Sequence, residues 1–481
     1  MRLKINTFCL LFLAVATELV QAQVNPYPLT EGISQSVKYS VKANGKMLGT
    51  YDSPIVSYSS FDMQGKVKID IKATRDIRWV DIRPKSLNIK AVWKDSTLSF
   101  TIDKPCNLSI ELNGEPLNFP LFLFANKIEE NVPKASDPNV IYFEAGKVHK
   151  PGLITPKSNQ TVYIAPGAVV EGFIFAENVE NVRVCGRGVL LGTNIKKFET
   201  WKNHKFIRFN DSKNISIEDI TLVDAFVWQV VPVNCENVKI DGVKIFADNP
   251  SDDAIDIVRS RNVTIKNCFI RVKDDCVAIK GHYKYPDNVI SKDIRVSDCT
   301  FWNAAWGNAI EIGFELQCAE VKDIVFKNCD IIHVDKGAAM SIHNGDRAKV
   351  SNILFEDIRI EDCNQKLFDL AIFYTQYGLD RPKTQEEEDR RYLHGAWDGV
   401  LFLNPEERKA QAGFRGTIDN VKFKNISVTD GIFPFSLFCG YDENHKVTNV
   451  SIENLTVHGK KIKCLDNARI YSEFADGIKI K

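Results

Sequence analysis

Asn262-Val-Thr-Ile-Lys-Asn267-Cys268 is followed by Asp293-Ile-Arg-Val-Ser-Asp298-Cys299 and then by Asp323-Ile-Val-Phe-Lys-Asn328-Cys329. The shared pattern is Asn or Asp, a β-branched residue, any residue, an apolar residue, any residue, Asn or Asp, and then Cys or an apolar residue. It returns at Asn214-Ile-Ser-Ile-Glu-Asp219-Ile220, Asn352-Ile-Leu-Phe-Glu-Asp357-Ile358, Asn420-Val-Lys-Phe-Lys-Asn425-Ile426 and Asn449-Val-Ser-Ile-Glu-Asn454-Leu455. The copies follow one another at roughly 23–33 residues, the range of solenoid repeats. Inside a copy, apolar and polar residues alternate with the period of a strand. The flanking Asn and Asp mark turns, where their side chains can bond the backbone of the next coil. One Asn slot repeated along a chain is the ladder of a parallel β-helix. No amphipathic helical period of comparable length competes with it.

The repeat also disposes of two other signals. Asn-x-Ser/Thr at Asn214, Asn262, Asn425 and Asn449 is the ladder Asn followed by strand residues rather than a set of glycosylation sites. Cys268, Cys299 and Cys329 share one slot, which fits small thiols stacked inside a solenoid better than bridges. No CxxC pair or His/Cys spacing supports a zinc site. One gap breaks the rhythm. Between Asn352 and Asn420 the spacing doubles, and the 363–415 insertion carries Tyr392, His394 and Trp397, which suit a cleft wall or a surface loop.

Residues 23–130 have a different texture. Alternation at Val67, Ile69 and Ile71, at Leu98, Phe100 and Ile102, and at Leu108, Ile110 and Leu112 predicts an antiparallel β-sandwich, with Pro120–Asn126 as its last buried strand. A polar linker over 127–138 leads to the solenoid at 140–481. The predicted fold class is therefore all-β: a right-handed parallel β-helix preceded by a small antiparallel β-sandwich. Residues 1–22 read as a secretory signal peptide. Arg2 and Lys4 precede the apolar run Phe8–Ala16, and Val20-Gln-Ala22 offers a cleavage site. An uncleaved N-terminal anchor is the alternative. Of 12 Cys, 11 would remain after cleavage. The expected location is secreted or periplasmic, with no membrane insertion after cleavage.

Lys plus Arg equal Asp plus Glu at 62 each, so no charge excess argues for nucleic acid or a membrane surface. Hydrophobic content of 44% is that of an ordinary globular chain. Oligomeric state is not legible.

Two acidic clusters sit on adjacent turns of the repeat: Asn249-Pro-Ser-Asp252-Asp253-Ala-Ile-Asp256 and Val272-Lys-Asp274-Asp275-Cys276-Val-Ala-Ile-Lys280. Neighbouring strands lie about 4.8 Å apart, so Asp253, Asp274 and Asp275 would face one another. All three cannot ionise cheaply, and a protonated acid beside charged bases is the expected result. Inverting hydrolysis of a glycoside uses such a set, with the two carboxyl groups about 6.5–9.5 Å apart. Calcium binding or a solvated turn is the plainer alternative. His282 and His343 are candidate site residues, with structural hydrogen bonding the competing role. Trp306 could stack on a sugar or fill the core. Glu311 could join the acids if its side chain faces outward beside Asp274.

The two clusters are similar to motifs of glycoside hydrolase family 28, the polygalacturonases: Asn-x-Asp-Gly-Ile/Phe-Asp for the first and Asp-Asp-Cys-Ile-Ala-Ile for the second. The likeness runs from Gly152 to Asn454. It implies that Asp274 is the general acid, that Asp253 and Asp275 position and deprotonate water, that Asp256 supports them, and that Lys280 contacts the sugar. No cofactor is implied; the implied partner is a polysaccharide or oligosaccharide. Two departures stand out. Where that family has Gly-His-Gly, this chain reads Gly307-Asn308-Ala-Ile-Glu311-Ile-Gly313, and where it has Arg-x-Lys, this chain has Ser341-Ile-His343. Loss of that cationic pair argues against a uronate at the cleavage subsite, although Lys280, His282 and Lys284 could partly replace it. Glycoside hydrolase family 49, the dextranases and isopullulanases of the same clan, also resembles the layout, with a β-sandwich before a β-helix. A polysaccharide lyase on the same fold and a non-catalytic glycan-binding solenoid remain the other readings.

Overall fold

The computed structural model describes residues 22–193, 205–282, 290–375, 377–381, 384–386 and 405–481. Residues 1–21 of the expected leader, Lys284, and Tyr392, His394 and Trp397 of the insertion lie outside the described residues.

The N-terminal part is two facing sheets. One orders Gln23–Pro26, Ser57–Gln64, Leu121–Lys127, Cys106–Leu112 and Val80–Arg83, with Thr50–Asp52 also on Ser57–Gln64. The other orders Lys46–Met47, Tyr39–Ala43, Val67–Ala73, Thr97–Ile102 and Ala91–Lys94. Val41, Phe61, Ile69, Leu98, Leu108 and Ile110 fill the space between them. The antiparallel expectation needs one correction, since Leu121–Lys127 runs parallel to Ser57–Gln64. That strand is apolar on both faces because both are covered. Leu121 and Leu123 point into the sandwich core, while Phe122 and Phe124 meet Phe246, Phe269 and Trp302 of the solenoid.

Between Val140 and Ile480 the described residues wind into a right-handed parallel β-helix of 32 strands. The strands pair in parallel with their counterparts one coil on, as Glu236–Asp241 does with Arg261–Lys266, except for Lys460–Lys461, which pairs antiparallel with Thr456–Val457. The repeated Asn and Asp adopt left-handed φ near +55°, at Asn214, Asn237, Asn262, Asp293, Asp323 and Asn352 among others. Asn and Asp tolerate that conformation better than other side chains with a Cβ, which is why they hold the slot. Their ladder runs from side chain to side chain rather than to the backbone as expected. Asn214 Nδ2 donates to Asn181 at 2.9 Å, Asn237 to Asn214 at 2.9 Å and Asn262 to Asn237 at 2.6 Å. The Asn237 rung escaped the motif because Gly242, at φ +67°, takes its second turn slot. Cys268, Cys299 and Cys329 are buried free thiols within the stack. Three residues earlier in the repeat, Phe326, Phe355 and Phe423 stack as near-parallel rings 5.1 and 5.0 Å apart. Among the described residues no helix is long and apolar enough to cross a membrane.

Candidate active site

The strands Ile255–Val258, Val277–Lys280, Ile310–Phe314, Ala338–Asn344 and Lys366–Ile372 lie side by side on consecutive coils. Ile257, Ile279, Ile312, Ile342 and Leu370 form one inward row. The outward row is Asp256, Ala278, Glu311, Ser341 and Asp369. Two residues before the strand, Asp253, Asp275 and Asn308 occupy one slot on three coils. Ala254 N donates to Asp275 O at 2.9 Å and Cys276 N to Asn308 O at 3.0 Å. The coil-to-coil equivalent of Asp253 is thus Asp275, and Asp274 projects from the turn just before it.

Asp252 builds that turn. It is fully buried, and its Oδ1 accepts the backbone N–H groups of Lys273 and Asp274, both at 2.9 Å, while Oδ2 accepts that of Asn249 at 3.0 Å. Asn303 Nδ2 donates to Asp274 O at 2.8 Å from the next coil. Gly307 meets the turn closely. A Cβ there, at φ +34°, would lie 2.5 Å from Asp275 N. Asp275 Oδ1 accepts the Asn308 N–H at 2.7 Å.

Oxygens of Asp253, Asp274 and Asp275 lie within 4.8 Å of one another. That is the distance between one oxygen of each carboxylate. One small cation could touch all three, and a cationic group already stands beside them. Lys280 Nζ is 3.4 Å from Asp253, 3.8 Å from Asp256, 3.9 Å from Asp275 and 3.4 Å from Glu315. Burial, then the charges of Asp253 and Asp275, push Asp274 up to about 10. Burial also raises Asp256 and Asp275, with Lys280 opposing it in both. Asp252 is raised to about 7 by burial, against its three backbone donors. Asp253 Oδ1 is buried and accepts no hydrogen bond, and a buried acceptor without a protein donor is a natural seat for a polarised water.

The remaining predicted residues divide by depth. Lys280, Asp256 and Glu311, read as sugar contacts or outward-facing acids, are 4%, 0% and 0% exposed and lie beneath the surface. Glu311 accepts from Asn308 Nδ2 at 2.9 Å and from Ser341 Oγ, and it pairs with His343 Nδ1 at 3.1 Å. His343 Nε2 meets Asp369 at 3.0 Å. Burial opposes charge on His343, but the two carboxylates outweigh it and raise the ring to about 10. Both its nitrogens are therefore committed inside the fold. His282 is driven well below the usual histidine range by burial and by the nearby Lys280 and Lys205, and its ring packs edge-on against Trp228 at 5.2 Å. Trp306 is 51% exposed, which removes core filling as its role.

Four neighbours were not picked out from the sequence. Trp228 fills the slot that Asp253 fills one coil later, as the pairing of Val230 with Ile255 shows. Lys205 Nζ stands 3.4 Å over the Trp228 ring, and burial lowers it to about 8. Phe314 stacks on Tyr377 at 5.6 Å, and Tyr377 is half exposed. Aligning coil against coil would have found Trp228; Tyr377 belongs to the insertion and carries no repeat signal.

Residues 157–376 match the family model for glycosyl hydrolases family 28. A polygalacturonase of Gossypium barbadense is 29% identical over 205 residues, covering 40% of this chain and 48% of that protein. One of Chamaecyparis obtusa is 29% identical over 159 residues, covering 32% and 29%. The chain spans about half the length or less of the curated relatives it matches. Among solved structures, Dex49A from Penicillium minioluteum superposes with a TM-score of 0.58 at 14% identity, covering 95% of this chain and 96% of that one. An exopolygalacturonase from Thermotoga maritima does so at 0.52 and 18% identity, covering 71% and 82%. At these identities the two superpositions speak for the fold.

Proposed function

We propose that this chain, a member of the clan that joins glycoside hydrolase families 28 and 49, cuts α-linked polysaccharide or oligosaccharide of the pectin or α-glucan type with the aspartate trio as its acid and bases. The observation that carries the reading is the trio itself, three carboxylates with oxygens within 4.8 Å, among which burial and the charges of its neighbours push Asp274 up to about 10. Asp274 donates its proton to the departing glycosidic oxygen. Asp253 and Asp275 accept hydrogen bonds from the attacking water and take its proton. The exposed rings of Trp306 and Tyr377 supply faces for sugar rings.

Single displacement is the mechanism we favour, because two carboxylates flanking one point suit a shared water. Proton NMR of the first product decides it. The β-anomer from an α-linked substrate supports single displacement, and the α-anomer would make Asp253 or Asp275 a nucleophile. The direct test of function is product release from pectins, rhamnogalacturonan, dextran and pullulan by the wild type, Asp253→Asn and Asp274→Asn. Full activity in both variants on a cleaved glycan refutes the assignment. Product absorbing near 235 nm, the region of unsaturated uronates, would instead indicate a lyase. That reading needs a free base, and the nearest candidate, Lys280, is enclosed by four carboxylates. Tight glycan binding with no product would favour a binding solenoid. A polymeric substrate also fits export directed by the leader read at 1–22, which cell fractionation tests.

A further inference from the structure

Lys280 ends the strand Val277–Lys280, with Val258 as its register partner on the preceding coil. Its side chain is 5% exposed, too deep to meet a sugar. The groups around its ammonium come from every neighbouring coil. Asp253 and Asp256 approach from the coil before, Asp275 from its own and Glu315 from the one after, all at 3.4–3.9 Å. The Trp228 ring lies 4.9 Å away with Lys205 on the same ring, and the Phe314 ring is 5.8 Å away. The imidazole of His282 stays neutral beside them, in the combined field of Lys280, Lys205, Arg259 and Arg208. Asp274 stands apart: among the described residues no cation comes within 4.0 Å of its carboxyl.

That asymmetry has a chemical consequence. Three carboxylates this close share their protons, and the macroscopic titrations belong to the set. A positive charge placed nearer two members than the third favours ionisation of those two more than of the third, against the burial that raises Asp274 and Asp275 alike. We propose that Lys280 is a positioning residue that selects which aspartate is the acid: by pairing with Asp253 and Asp275 and not with Asp274, it makes the first pair the bases and leaves the proton on the third. The inference rests on the hydrolase reading above for its consequence in turnover, but not for its consequence in proton location. It also reassigns Lys280 from substrate contact to internal counter-ion. Lys280 and Asp274 then have separable effects on pH dependence. Asp274 governs the alkaline limb, where its proton is lost, and Lys280 governs the acid limb, where the set takes up a further proton.

The experiment uses the full chain with Lys280→Gln, Lys280→Arg and the pair Lys280→Gln/Asp256→Asn, each checked by thermal melting. The pair removes the buried ammonium together with one of its carboxyl neighbours and keeps the question answerable if Lys280→Gln alone misfolds. Opposite charges at this range shift a carboxyl by about 1–3 pH units. The acid limb of kcat/KM in Lys280→Gln or the pair should therefore move up by about 1–3 units, with KM unchanged, while Lys280→Arg restores the wild-type limb. A raised KM with an unmoved acid limb would mean that Lys280 contacts the sugar, and the proposal fails. Carboxyl 13C NMR of aspartate-labelled protein gives a readout without turnover. More aspartates should retain protons at pH 7 in Lys280→Gln or the pair than in the wild type, and identical titrations overturn the proposal. If no glycan in the panel is cleaved, the hydrolase reading fails while the NMR comparison still judges Lys280.

Discussion

Replacing Asp274 with Asn should change stability in a way that reports where its proton sits, whatever the substrate proves to be. In the folded chain Asp274 is raised to about 10 by burial and by Asp253 and Asp275. In the unfolded chain it titrates near 3.9. Between those values the folded state binds one proton that the unfolded state does not, so stability falls as pH rises, by about 1.4 kcal/mol per pH unit. This contribution is fully present below about pH 4 and disappears as pH approaches 10. Asn cannot titrate, so Asp274→Asn removes the slope. Across pH 5–9 the variant should gain on the wild type by about 1.4 kcal/mol for each pH unit, read as a widening gap in urea midpoint at constant slope. Over the same range its turnover should be lower by about 10²–10⁴-fold, the usual contribution of a general acid. A stability difference that stays flat with pH would show that Asp274 carries no proton that the rest of the set cannot carry in its place, and the acid assignment would fall with it.

Asp252→Ala should leave the amides of Lys273 and Asp274 without their acceptor, at about 1–3 kcal/mol each, and should lower turnover because the Asp274 turn loosens. Denaturation and kcat measured together check this, and two unchanged values would refute it. Trp306→Ala should raise KM severalfold while stability stays within about 0.5 kcal/mol, as expected of a half-exposed ring outside the core; a large drop in melting temperature would return Trp306 to a structural role. Phe122→Ala opens the seam between sandwich and solenoid at a fully buried ring touching Phe246, Phe269 and Trp302. It should cost about 3–5 kcal/mol and speed proteolysis after residue 127, whereas an unaltered digest would mean that the two parts are held by other contacts.

Those other contacts are polar and were invisible in the sequence. Arg83 bridges Glu111 of the sandwich and Glu361 of the solenoid, and His333 sits between Glu111 at 3.1 Å and Asp362 at 2.9 Å. Burial opposes charge on His333, but Glu111 and Asp362 raise it to about 9. Partners so far apart along the chain carry no local signature.

Local constraints made the rest readable. The Asn and Asp slots had to recur because every coil needs a left-handed turn at the same place, and the apolar alternation had to recur because every strand faces the same interior. Those two demands act within a few residues, so the sequence alone determined the solenoid, the sandwich before it and the neighbouring placement of Asp253, Asp274 and Asp275. Depth is a different matter. An outward-pointing residue on a β-helix strand reads the same whether it meets solvent, a loop or another charge. Only the tertiary structure decided that Glu311, Asp256 and Lys280 lie beneath the surface, that His343 spends both nitrogens on Glu311 and Asp369, and that Lys280 touches four carboxylates but not Asp274. Burial and electrostatics sum over everything nearby in space, and a sum of that kind leaves no mark on the spacing of three similar aspartates along the chain.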